Sequence, residues 1–272
     1  MYTPNKLDID GVTKGIPNCD GIVISHYHMD HLGQLTSTIP EVPLYMGELG
    51  KEIALIGAEY QDKDLYLRLL GANTFRGGEV FTIGDICIRP LVVDHSAADS
   101  YMFLIEADGK RILYTGDFRM HGLRHHVLEK LVKTYIGEID VLITEGTSLS
   151  RATEDCISEL AVLDDISSYI QDGKYVFVMC SSTNIDRIMG IWQNMPSDKV
   201  LICDAYQKKI LDTVINNVYY ESSLYRRHTS PLVLDKGKYP KYYMDNGFVS
   251  LVRATENYIS HIQEFPKDDV RI

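Results

Sequence analysis

Hydrophobic and polar positions follow two different textures along this chain. In the first half, short apolar runs such as Gly21-Ile22-Val23-Ile24 have the length of buried strands. Between Gly50 and Leu70, apolar residues recur at Ile53, Leu55, Ile56, Tyr60, Leu65, Leu67 and Leu69, a helical spacing that predicts one long helix. Strands are predicted near Gly78 to Ile83, Ile86 to Val93, Ser100 to Glu106, Arg111 to Thr115 and Val141 to Thr144, with Asp108-Gly109 as a hairpin turn. From Asp155 the pattern becomes a helix from Cys156 to Ile170, a strand from Tyr175 to Met179 and a helix from Asn184 to Gln193. A strand from Val200 to Cys203 and a helix from Tyr206 to Val214 follow. Such alternation implies a parallel sheet covered by helices. The change of texture places a boundary near Ser148 to Glu154 and divides the chain into domains of residues 1–150 and 151–272. No internal repeat or low-complexity stretch interrupts the pattern.

Composition narrows the class. With 272 residues, 45% of them hydrophobic, the chain can bury a substantial core. No signal peptide opens it and no apolar run approaches the roughly 18 residues of a membrane span. Five scattered cysteines without a Cys-x-x-Cys pair suggest reduced, buried thiols and a cytoplasmic protein, with no cysteine zinc site. Lys and Arg number 27 against 38 Asp and Glu, a formal net charge of -11. That balance weighs against a protein that holds nucleic acid over a broad basic face. Bound divalent ions and a local groove can still supply positive potential. Arg119, His121, Arg124, His125 and His126 are candidates for such a groove, with a solvated helix start as the alternative. Eighteen tyrosines stand against one Trp, and Tyr219, Tyr220, Tyr225, Tyr239, Tyr242, Tyr243 and Tyr258 cluster late. They suit base stacking less well than the edge of a core.

The chemistry concentrates in Ser25-His26-Tyr27-His28-Met29-Asp30-His31-Leu32-Gly33, directly after the apolar run at Ile22. Neutral imidazoles and a carboxylate suit zinc and neighbouring divalent metals. In an extended segment His26 and His28 point to one side, so both can reach one ion, while Asp30 and His31 can face a second. Two further strands end on ligand types: Leu91-Val92-Val93-Asp94-His95-Ser96 on His95, and Arg111-Ile112-Leu113-Tyr114-Thr115-Gly116-Asp117 on Asp117.

The first motif resembles the His-x-His-x-Asp-His signature of the metallo-β-lactamase superfamily, and the second and third resemble its third-histidine and bridging-aspartate motifs. The stretches Val93 to Ala98, Tyr114 to Gly122 and Leu142 to Thr147 look like the β-CASP nuclease branch, the ribonuclease J-like and cleavage-factor-like enzymes. Cys180-Ser181-Ser182-Thr183-Asn184-Ile185-Asp186-Arg187-Ile188 resembles the turn that opens that branch's inserted domain. The resemblance implies an α/β fold, an αββα metallo-β-lactamase domain with a βα-alternating β-CASP-like second domain, incomplete at both ends. The opening hairpin strands are absent or reduced to Leu7-Asp8-Ile9. Two terminal histidine motifs have no counterpart, since neither His228 nor His261 sits in a matching context.

The resemblance further implies two divalent ions, most simply Zn2+, with Mn2+ or Fe2+ possible in the same ligands. His26, His28 and His95 would hold the first, Asp30 and His31 the second, and Asp117 would bridge them. Asp30 can also orient the attacking water or take its proton, and Glu145 is expected to act from behind the ligands by fixing an imidazole. Ser181, Ser182 and Asn184 at a helix N-terminus, together with His121, are candidate contacts to substrate phosphate, with a helix cap as the competing role. Cleavage of single-stranded RNA is the expected activity, weak where the second site is incomplete, in a chain expected to self-associate through open sheet edges. A dinuclear hydrolase of a small ester, thioester or lactam, and a non-catalytic relative, are the alternatives.

Overall fold

The computed structural model describes residues 7–147, 149, 156–217, 225, 230–234 and 239–272. The expected boundary at Ser148 to Glu154 falls almost wholly outside these residues, as do Tyr219, Tyr220 and His228. The chain separates into two compact units, Met1–Asp155 and Cys156–Ile272.

The first unit opens with β1 (Ile22–Ile24), α1 (Met29–Leu32), β2 (Leu44–Gly47), α2 (Glu48–Gln61), α3 (Lys63–Leu70) and β3 (Asn73–Phe75). The three strands form a parallel sheet in the order β1-β2-β3. The single helix expected from Gly50 to Leu70 is two. Asp62 turns extended, with φ −154°, and its carboxylate accepts the Asp64 and Leu65 N–H groups, so it ends one helix and caps the next. A side-chain cap of this kind competes with helix continuation and leaves the apolar spacing intact, which is why the pattern did not reveal it.

A second sheet follows: β4 (Phe81–Ile83), β5 (Ile86–Val92), β6 (Tyr101–Ala107), β7 (Lys110–Tyr114) and, after α4 (His126–Leu131), β8 (Val141–Ile143), in sequential order. β4 is shorter than the Gly78 to Ile83 expected, because Gly78 has φ +84° and belongs to a turn. Asp108 and Gly109, both at positive φ, make the hairpin between β6 and β7. The period-2 alternation of β6 decides the layering. Tyr101 and Phe103 face a core with Phe75, Ile83 and Ile88, against which Val23 and Tyr45 of the other sheet also pack. Met102 and Leu104 face the opposite core with Leu91, Val93, Leu113, Leu131 and Ile136.

The second unit contains α5 (Glu159–Asp172), β9 (Tyr175–Met179), α6 (Ile185–Gln193), β10 (Leu201–Cys203), α7 (Ala205–Asn216), β11 (Leu232–Val233), α8 (Lys241–Asn246), β12 (Phe248–Val252), α9 (Glu256–Ile262) and β13 (Val270–Arg271). Its five strands are all parallel, in the order β11-β10-β12-β9-β13. Among the described late tyrosines, Tyr225 is buried with its hydroxyl on Asp186 and Tyr239 stacks on Phe248 and His261, whereas Tyr242 is exposed. All five cysteines are free thiols, but only Cys203 is buried as expected; Cys19, Cys87 and Cys180 are half-buried and Cys156 is exposed. Among the described residues no helix is long and apolar enough to cross a membrane.

Candidate metal centre

Strand direction brings the candidate residues together. β5 and β7 both run antiparallel to β6, and β8 runs parallel to β7, so the three strands end at one edge. His95, Asp117 and Glu145 follow them there. β1 delivers Ser25 and His26 to the same place, held by the Tyr101 N–H donating to the Ser25 carbonyl at 3.0 Å. His28 then caps α1, which carries Asp30 and His31.

Two groups of potential ligands result: His26, His28 and His95, and His26, His31 and Asp117, the ligand atoms of each lying within 4.8 Å of one another. His28 Nδ1 lies 3.2 Å from His26 Nε2 and 3.1 Å from His95 Nε2. A ring nitrogen has either one N–H or one lone pair, so His28 Nδ1 can satisfy one of these neighbours and not both. A tetrahedral ion with Zn–N bonds of about 2.0–2.1 Å separates its ligands by about 3.3 Å, close to the observed spacing. The donor set therefore fits a single cation better than it fits hydrogen bonding among the rings. His31 Nε2 lies 3.4 Å from Asp117 Oδ1 and 3.8 Å from Asp30 Oδ2, and His26 Nε2 lies 4.0 Å from Asp117 Oδ2. Asp30 is the most open of these groups, its side chain 69% exposed.

The field keeps the rings in their ligand form. Burial, followed by the neighbouring His31, His95 and His28, lowers His26 to about 2. Burial, then His28 and Arg119, lowers His95 to about 4 against the pull of Glu145. His28 is also lowered, chiefly by burial. All three are neutral near pH 7, as metal ligation requires. Burial works against ionisation of Glu145, yet hydrogen bonds from the Phe118 N–H and from Thr147, with the charge of His95, bring its carboxyl below the usual range. Glu145 Oε1 accepts the Phe118 N–H at 3.0 Å, so its hydrogen bonding steadies the turn after Asp117 while its charge reaches His95.

Sequence reasoning passed over the residues that hold the His95 loop. Asp94 is buried; its carboxylate accepts Arg119 Nε and the Arg124 N–H, each at 2.9 Å. Arg119 and Arg124, candidates for a groove with a solvated helix start as the alternative, are thus drawn into structure, with Arg124 also donating to the His95 and Ala97 carbonyls at 3.4 Å. Gly122 makes this approach possible, since a Cβ there would lie 2.1 Å from Asp94 Oδ1. Tyr27 Oη accepts the Ala98 N–H at 2.9 Å, tying the first motif to the same loop. Asp99, at φ +60°, accepts the Gly50 N–H at 2.7 Å and the Tyr101 hydroxyl. An aspartate directly before the candidate ligand His95, at the end of an apolar strand, was a readable signal for Asp94; nothing local in the sequence marked Asp99.

His121 is exposed beyond this loop. Ser181, Ser182 and Asn184 belong to the other unit, at the start of α6. Asn184 caps that helix through the Arg187 N–H, Ser181 bonds Thr183, and Ser182 accepts from Arg253 at 3.4 Å. The competing cap role is thus present for Asn184. Close by, Asp204 pairs with Arg253, accepts the Tyr258 hydroxyl at 2.7 Å and caps α7 through the Gln207 N–H at 2.8 Å.

Comparison with known proteins matches residues 5–164 to the family model described as "Beta-lactamase superfamily domain". The chain is similar to endoribonuclease YSH1 of Gibberella zeae, 27% identical over 76% of this chain and 26% of the relative. It is also similar to ribonuclease J 2 of Streptococcus pyogenes, 26% identical over 68% of this chain and 36% of that one. It thus spans about a quarter to a third of the length of these relatives. A crystal structure of a protein of unknown function from Enterococcus faecalis V583 superposes with a TM-score of 0.69 at 18% identity, over 88% of this chain and 59% of that one, a likeness of fold.

Proposed function

The chain belongs to the beta-lactamase superfamily, and from that premise we propose that it is a metal-dependent hydrolase of the β-CASP nuclease kind, acting on single-stranded RNA at a dinuclear centre. The observation that carries this reading is the trio His26, His28 and His95, whose nitrogens over-subscribe one another at 3.1 and 3.2 Å and are relieved together by one cation. The ribonuclease relatives support the substrate class. On this reading residues 1–150 are the metallo-β-lactamase domain and residues 151–272 a β-CASP-like domain.

His26, His28 and His95 would hold one ion, Asp30 and His31 a second, and Asp117 would lie between them. Zinc suits these donors, with Mn2+ or Fe2+ able to use the same set. Divalent ions bound there supply positive charge for the phosphate oxygens and acidify a water near neutral pH. The chain's own groups do the rest. Exposed Asp30, 3.8 Å from His31, would accept a proton from an attacking water. Glu145, through the Phe118 N–H, keeps the turn after Asp117 in register. The neutral imidazoles require no proton loss at pH 7 before binding. Within the second unit Ser181, Ser182 and Asn184, and within the first His121, would each offer uncharged donors to phosphate groups, a kind of contact that an acidic chain can make without a broad basic face.

Metal content per chain, measured with cleavage of a labelled single-stranded RNA, tests the reading. We expect bound zinc and metal-dependent cleavage abolished by Asp117→Ala. Absence of metal after native purification and after addition overturns the centre, whereas tight metal binding without RNA cleavage, but with turnover of a small ester or lactam, overturns the substrate class alone.

A further inference from the structure

Ser25 precedes the ligand residues and belongs to none of the donor sets, yet it is only 3% exposed and touches two of the rings. Its Oγ lies 3.2 Å from His26 Nδ1 and 3.3 Å from His31 Nδ1. On both rings the opposite nitrogen, Nε2, faces Asp117. A neutral imidazole carries its proton on one nitrogen and its lone pair on the other, so a ring that ligates through Nε2 must be protonated at Nδ1. A hydroxyl oxygen has two lone pairs and can accept two such N–H groups.

We propose that Ser25 is the positioning residue of this centre, its single buried hydroxyl accepting the Nδ1–H of both His26 and His31 and so fixing the tautomer and ring orientation that present both Nε2 lone pairs to metal. The assignment rests on the metal centre proposed for this unit. A ligating imidazole almost always donates its other ring N–H to a group behind it; here one oxygen stands behind His26, common to both ligand groups, and behind His31 of the second. The placement is built from both sides. The Tyr101 N–H holds the Ser25 carbonyl, and Gly116, at φ +54°, lets the strand end carrying Asp117 settle onto Ser25. A Cβ at Gly116 would meet Ser25 Cβ at 3.1 Å and the Tyr101 carbonyl oxygen at 2.7 Å. Asp117 and the two rings are therefore set against one another through Ser25.

The test uses the full chain with Ser25→Ala, Ser25→Thr and, as control, His26→Ala. Zinc affinity is read by competition with a chromophoric chelator, and the tautomers of His26 and His31 by 15N NMR of the zinc-loaded protein. Ser25→Ala should weaken zinc binding about 10–100-fold and give mixed tautomers at His26 and His31, while Ser25→Thr, which keeps the hydroxyl, stays close to the parent chain. A Ser25→Ala chain that binds zinc as the parent does overturns the assignment, as does Nε2 protonation of His26 or His31 in the loaded parent. Either result leaves the metal centre standing provided His26→Ala loses zinc. A parent chain that takes up no zinc overturns the centre and the role of Ser25 with it.

Discussion

Both units gather polar side chains at the ends of parallel strands, but the two clusters are assembled on opposite principles. In the second unit, Asp204, Arg253, Tyr258, Ser182 and Gln207 match donors to acceptors: carboxylate to guanidinium, hydroxyl to carboxylate, amide to carbonyl. Such a cluster is complete in itself. In the first unit, the Nε2 atoms of His26 and His95 both crowd His28 Nδ1, which can pair with only one of them, and burial keeps the rings from charging. With His26 buried and His28 and His95 half-buried, such an arrangement is costly without a partner, and a cation would satisfy all three rings. The difference teaches that polar density alone does not mark a site; unmatched chemistry does.

The largest effect should come from His28→Ala. It should remove the first ion, measured as metal per chain, while the metal-stripped variant unfolds within about 1 kcal/mol of the metal-stripped parent, because a surplus nitrogen leaves with the lost packing. A large loss of stability without metal would mean that the rings are satisfied among themselves. Next, Asp94→Ala removes a charged partner of Arg119, whose side chain is only 12% exposed, and an acceptor of the Arg124 N–H. A destabilisation of about 3–5 kcal/mol in denaturant unfolding is expected, with weakened metal uptake because the His95 loop loses its anchor.

Acid should separate the clusters further. The folded His26 and His95 bind protons only near pH 2 and pH 4, whereas the unfolded rings bind them near 6.5. The unfolded chain therefore takes up more protons below about pH 6.5, and stability of the metal-stripped protein falls as pH drops through that value toward 4, by up to about 1.4 kcal/mol per pH unit for each ring. Asp99, raised to about 6 by burial against its hydrogen bonds from Tyr101 and Gly50, acts in the opposite direction between about pH 4 and 6. With two rings against one carboxyl the rings prevail, and denaturant midpoints that are flat from pH 7 to 4.5 would contradict this. The smallest effect is expected from Asp204→Ala, which removes the cap of α7 and the partner of half-exposed Arg253. A loss of about 1–2 kcal/mol with metal content unchanged is expected; altered metal content would show that the second cluster is coupled to the first.

By itself the sequence determined the ligand types, their order and most of the strands that carry them, because ligand chemistry and a period of two or 3.6 are local properties. His26, His28, Asp30 and His31 are adjacent in sequence, and His95, Asp117 and Glu145 each follow a recognisable strand. Local patterns also read the hairpin at Asp108-Gly109 and the parallel alternation after Asp155. What the tertiary structure decided was pairing across distance. Nothing in residues 50–70 separated one helix from two until the Asp62 carboxylate was seen to cap the second. Nothing marked Arg119 as a partner of buried Asp94, or Ser25 as the hydroxyl between two rings. Those roles depend on which strand ends meet, and that is set by the antiparallel reversal at β6 and by the close approach that Gly116 allows, neither of which a one-dimensional pattern encodes.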